Sequence, residues 1–144
     1  MKKILLLLII TFSLYGLAEI FPSFSQTSAG QNTNHDRALV NAFENWQSNV
    51  QVQGSGTVVK NLADDTHGSR HQKFILRMAS GHTLLIVHNI DLASRINGLS
   101  KGDTVHFYGE YEWNSKGGIV HWTHHDPGHH HIDGWLKHKG KTFQ

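Results

Sequence analysis

TLLIVHNIDLASRINGLSKGDTVHFYGEYEW, residues 83–113, sets two strand-like runs on either side of a short segment of different character. Thr83 to Ile90 is apolar on both alternating faces, as in a strand covered on both sides. The run from Thr104 to Trp113 alternates instead, with Phe107, Tyr111 and Trp113 on one face and His106 and Glu110 on the other. Between them DLASRIN opens on Asp91, a helix N-cap residue, and Gly98 follows it as a C′ residue, which predicts a short helix.

Working upstream, HQKFILRM (71–78) reads as a strand with Phe74, Leu76 and Met78 on its core face, turned by ASGH (79–82). VQVQGSGTVVKNL predicts a strand from Val50 to about Lys60, bent at Gly54 and Gly56. Thr33 to Gln47 predicts a helix: Thr33 and Asp36 approximate a capping box, and Leu39, Ala42, Phe43 and Trp46 recur at helical spacing. Downstream, NSKGG turns the fourth strand into GIVHWTHHD, and GWLKHKGKTF adds a last short strand or hairpin. The fold class is therefore mainly β: a small OB-like Greek-key barrel, with a short helix between its third and fourth strands and an amphipathic helix before the first. A two-layer α+β sheet is the rival. Short strands at regular spacing favour closure, which removes exposed sheet edges.

GSRHQKFIL, LLIVHNIDLASRI, GDTVHFYGEYEW and GGIVHWTHHDP together resemble a family of small exported bacterial proteins, catalogued as a domain of unknown function and described as OB-like. The resemblance runs from about Val50 to the C-terminus. It implies the barrel fold and an exported location, and it brings no activity with it.

Lys2 and Lys3 ahead of the apolar run Ile4–Leu17 form the charged and hydrophobic parts of a secretory signal. The run is short for a membrane span of roughly 20 residues. Residues 1–22 are therefore expected to be a signal peptide or signal-anchor, 23–34 a polar linker and 35–144 the OB-like domain. The expected location is periplasmic or secreted, with inner-membrane anchoring if the N-terminal segment stays uncleaved; membrane contact is expected through that segment alone. The chain has no cysteine, so an exported domain must rely on its core or a metal for stability. Net charge is only +2 with histidines neutral, but thirteen histidines all follow the apolar run, so charge climbs steeply in mild acid.

Those histidines direct the search for a site. In the second hairpin, a turn centred on Ser115-Lys116 sets Glu110 opposite His121 and His106 opposite His125, all on one face. HWTHHDPGHHHIDGW (121–135) supplies six imidazoles, and neutral imidazole with carboxylate suits zinc, nickel or copper. The expected metal ligands are His121, His124, His125, Asp126 and His130. The alternative is a solvated loop that binds metal adventitiously, since neither H-E-x-x-H nor paired C-x-x-C spacing is present.

In the first hairpin, Met78 opposite Thr83 brings His88 near Lys73 and His71 near Ile90. Arg70, His71, His88 and Asn89 then gather at one sheet end beneath the Asp64-Asp65 loop. Arg70, Lys73, Asn89 and Tyr108 are the expected ligand-binding residues, for an anionic polymer or a small anionic or ring-bearing ligand. His71 and His88 are the proton-moving pair if the protein is an enzyme. Tyr111, Trp113 and Trp122 are expected in the core, and Tyr108 on the surface.

Three functions follow as expectations. The first is an exported OB-fold binding module for single-stranded nucleic acid or an oligosaccharide, with or without a histidine-bound metal. The second is a metal-dependent phosphodiesterase or nuclease. The third is envelope metal or haem handling, similar in outline to the haem chaperone of cytochrome c maturation. No G-x-S-x-G elbow and no P-loop occurs, which leaves out a serine-hydrolase triad and a phosphate-cradling NTPase loop.

Overall fold

The computed structural model describes residues 28–144, and among these one helix precedes seven strands. They are α1 (Ser28–Glu44), β1 (Val50–Asn61), β2 (His71–Arg77), β3 (Thr83–Asn89), β4 (Thr104–Glu112), β5 (Ile119–His121), β6 (Trp135–His138) and β7 (Lys141–Phe143). The expected signal or anchor (1–22) and the first part of the linker (23–27) lie outside the described residues. From Ser28 to Asn34 the expected linker is already helical.

β1 is long enough to serve two neighbours. Val50–Thr57 pairs antiparallel with β4, and Thr57–Asn61 pairs with β2. β2 pairs with β3, β3 runs parallel to β5, and β5 returns to β4, so the ring β1-β2-β3-β5-β4-β1 closes. This is the five-stranded OB-like barrel expected from the alternation of the strands. The β6–β7 hairpin extends the sheet from the first half of β4.

Alternate residues of each strand fill the barrel: Val52, Val58, Phe74, Leu76, Leu84, Ile86, Val105, Phe107, Tyr111 and Val120 are all buried. β1 passes through Gly54 and Gly56 without a break, and its register slips further on, between Val58 and Lys60. Gly54 serves the packing instead: a Cβ there would stand 2.7 Å from the Phe107 ring.

α1 lays Leu39 and Ala42 against the core. Its expected cap is not made. Thr33 donates back to the Gly30 carbonyl, and the Asp36 carboxylate accepts from the backbone N–H and the hydroxyl of Ser80, which ties the helix to the β2–β3 turn. The helix stops at Glu44, so Trp46 leaves the apolar stripe and is 76% exposed.

Two expectations are corrected. The segment 91–97 forms turns, not a helix. Asp91 is drawn off by Arg70, whose backbone N–H and Nε donate to it at 2.7 and 2.6 Å. Gln72 takes both main-chain groups of Ile96, at 2.9 and 3.0 Å, which no helical ladder could then use. The second correction is the β2–β3 register, which pairs Arg77 with Thr83 and Gln72 with His88. Met78 donates to the His82 carbonyl, so the loop is one residue shorter than the four-residue turn expected. A shift of one residue moves side chains to opposite faces. His88 therefore points into the barrel while His71 and Lys73 face outward.

Candidate metal centre

On the second hairpin the register matches the sequence expectation: Glu110 pairs with His121, Tyr111 with Val120 and Glu112 with Ile119. Period-two alternation sends Tyr111 and Val120 inward, and Glu110, Glu112 and His121 onto the outer wall. There His121 Nε2 stands 3.6 Å from Glu110 Oε1 and 4.0 Å from Glu112 Oε1. Among the described residues these three form the group of histidine and acid ligand atoms close enough to share one metal ion, all within 4.8 Å.

Those separations are too long for hydrogen bonds. His121 Nε2 is buried and has no hydrogen-bond partner, and the same holds for Nε2 of Gln51, which pairs across β1–β4 with Glu110. Two orphaned nitrogens thus flank the Glu110 position from either neighbouring strand. Burial lowers the pKa of His121 against the opposing pull of the two glutamates, so the ring favours its neutral, ligating form.

The chain leaves the barrel wall at Trp122, whose φ of 51° ends β5 and aims the following residues across the wall. β6 then occupies the first half of β4, pairing His106 with Lys137, so His125 does not come opposite His106. The loop 122–134 is built around two aspartates. Asp126 accepts from the backbone N–H groups of Gly128, His130 and His131, and these bonds, Gly128's foremost, hold its pKa down to about 2. Asp133 accepts from Asp126 N and from His125 Nδ1 at 2.8 and 2.9 Å. Gly134 lets the loop return against the sheet: a Cβ there would meet the Trp122 carbonyl at 1.9 Å. The result presses His131 flat on Trp122, 3.7 Å between ring centres, with Nδ1 3.7 Å from Glu110 Oε2.

The chain belongs to the family described as "Protein of unknown function (DUF3465)", whose model matches residues 21–144. No curated protein matches it. Membership assigns no role to the family's residues, so the placement of each expected site residue rests on geometry alone.

Of the five expected ligands, His121 alone joins the close group. His124 is buried with Nδ1 on the His125 carbonyl, His125 bonds Asp133, the Asp126 oxygens serve the loop's own N–H groups, and His130 is exposed. Glu110 and Glu112 complete that group, and His131, not His130, approaches Glu110 from outside it. The signal for the glutamates was in the sequence, in the period-two pattern that puts both on the His121 face.

Of the expected ligand-binding set, Arg70, Lys73 and Asn89 stay at one end of the β2–β3 pair, each already engaged, and Tyr108 lies apart on β4. Arg70 is held by Asp91, Lys73 stands 3.7 Å from Asp65, and Asn89 accepts from the Asp91 N–H. Tyr108 is half-buried beside Trp135. Trp122 is half-buried under His131 instead of in the core, while Tyr111 is fully buried and Trp113 packs at the core's edge. Of the two histidines expected to move protons, His71 lies on the outer wall opposite Asn89. His88 is sealed in the interior, its Nδ1 accepting from the Thr123 hydroxyl and its Nε2–H donating to the Ser94 carbonyl.

Proposed function

We propose that this domain is an exported metal-binding module that holds one divalent transition-metal ion on the outer wall of its barrel, through His121 Nε2 and the carboxylates of Glu110 and Glu112. One observation carries the reading: a buried, unpartnered imidazole nitrogen faces two carboxylates at 3.6 and 4.0 Å. Zinc bonds of about 2.0–2.2 Å in a tetrahedron put neighbouring ligand atoms about 3.4 Å apart, so the three side chains, now within 4.8 Å of one another, would draw together around the ion. The mixed nitrogen and oxygen set favours zinc, copper or nickel over magnesium. His131, already against Glu110, is the side chain placed to add a fourth bond. The two carboxylates at the centre of the wall weigh against a polyanion lying there, which favours metal holding over the nucleic-acid reading. Export is supported by Lys2, Lys3 and the apolar run behind them.

The test is elemental analysis and calorimetric zinc titration of untagged protein purified without a nickel resin. One ion per chain is expected, with Glu110→Gln and His121→Ala each weakening it by at least about 100-fold. Unchanged affinity in both variants, or binding lost only when His129 and His130 are replaced, would refute the site.

A further inference from the structure

At the other end of β4, a cavity of about 480 Å³ opens between the Arg95–Gly98 loop and the β6–β7 hairpin. Arg95, His138, Lys139 and Lys141 line it above the ring of Phe143, and no carboxylate is among the described lining residues. The acids stand behind the cations. Asp64 takes Arg95 through Nε and Nη2 at 3.1 and 3.2 Å. Asp103 serves both His138 Nε2 at 2.8 Å and Lys139 Nζ at 3.2 Å, as well as the Ser100 N–H. Arg95, Lys139 and Lys141 therefore stand against two carboxylates, and the cavity carries a net positive charge without counting His138.

The hairpin turn adds a separate observation. Lys139 and Gly140 both have positive φ, 47° and 78°, the pattern of a two-residue type I′ turn. Asn, Asp or Gly ordinarily takes the first of these positions, because the left-handed region costs a side-chain-bearing residue roughly 1 kcal/mol. A lysine held there puts a positive charge at the cavity mouth that none of those cheaper residues would supply. Lys141 Nζ is steadied 5.0 Å above the Phe143 ring.

We infer that this cavity binds a small phosphate-bearing anion, a phosphomonoester or a pyrophosphate. Its volume falls in the range of small-ligand pockets, roughly 300–1,000 Å³. The ammonium groups of Lys139 and Lys141 on the hairpin, with the charge of Arg95 opposite, itself paired with Asp64, suit an anion that offers several oxygens and more than one charge.

The experiment is calorimetric titration of the full chain with inorganic pyrophosphate at low salt, with EDTA present so that a metal on the barrel wall contributes nothing. Saturable 1:1 binding is expected, weakened about tenfold in Lys141→Gln and again in Lys139→Gly. Lys139→Gly is the decisive variant, because glycine suits the turn: it should keep or raise the melting temperature while losing affinity. Absence of binding at millimolar pyrophosphate would overturn the inference. So would equal affinity in both variants, or tight binding of a single-stranded oligonucleotide that pyrophosphate fails to displace. The metal reading survives any of these, since it is measured without phosphate on other residues.

Discussion

Lowering the pH from 7 to 5 should cost the folded domain about 2 kcal/mol through His88 alone. Its ring is fully buried, and burial, only partly offset by its hydrogen bonds to Ser94 and Thr123, pushes its pKa down from 6.5 to about 4. The unfolded chain takes up this proton as pH falls through 6.5, whereas the folded chain refuses it until about 4. The contribution is therefore complete above the unfolded value, declines as pH falls between the two, and is flat below the folded one. Inside that window each pH unit is worth about 1.4 kcal/mol per proton. Urea unfolding followed by tryptophan fluorescence at pH 7 and pH 5 reads it, comparing wild type with His88→Leu. The variant leaves the Thr123 hydroxyl and Ser94 carbonyl without their partner and should be about 1–3 kcal/mol less stable at pH 7. Its loss on acidification should be smaller by about 2 kcal/mol, because the other twelve histidines are common to both proteins. Equal losses in the two would show that His88 is not held neutral by the fold.

Other perturbations separate the loop from the barrel. Gly134→Ala forces a methyl into the Trp122 carbonyl and should destabilise by about 1–3 kcal/mol while lifting His131 off Trp122, read by urea unfolding and by the loss of ring-current shifts on His131. Gln72→Leu leaves the Ile96 N–H and carbonyl buried without partners and should cost about 2–4 kcal/mol in the same assay. Asp126, with its pKa held at about 2, should protect the His130 and His131 amides from hydrogen exchange above the ordinary carboxylate value and lose that protection as pH falls from 3.8 toward 2; Asp126→Ala should lose it at every pH.

The barrel was legible because β2, β4 and β5 alternate: Phe74 and Leu76, Val105, Phe107 and Tyr111, and Val120 are inward residues that hydrophobic period two selects. What the pattern could not show was loop length. One residue fewer in the β2–β3 turn put His88 inside and left His71 outside, undoing a cluster that depended on both facing one way. Asp91 and Gly98 looked like helix caps by residue type, yet Arg70 and Gln72, twenty or more positions away, claimed the groups a helix would have used. The second hairpin fared better because the expected register had the same parity as the six-residue connection from Trp113 to Gly118. Glu110 and Glu112 lie outside the dense run of histidines and meet His121 only across the β4–β5 pairing, which residue type alone does not mark. The left-handed turn at Trp122, which ends β5 and sends the loop over the wall, has no local signal in the residue types around it.

The most direct measurement is anomalous diffraction from crystals of the full chain grown with one equivalent of zinc. A single strong peak should lie between His121 Nε2 and the carboxylates of Glu110 and Glu112, within about 2.2 Å of each ligating atom. Zinc found only on the exposed imidazoles of His129 and His130, with the His121 nitrogen still unpartnered, would contradict the account.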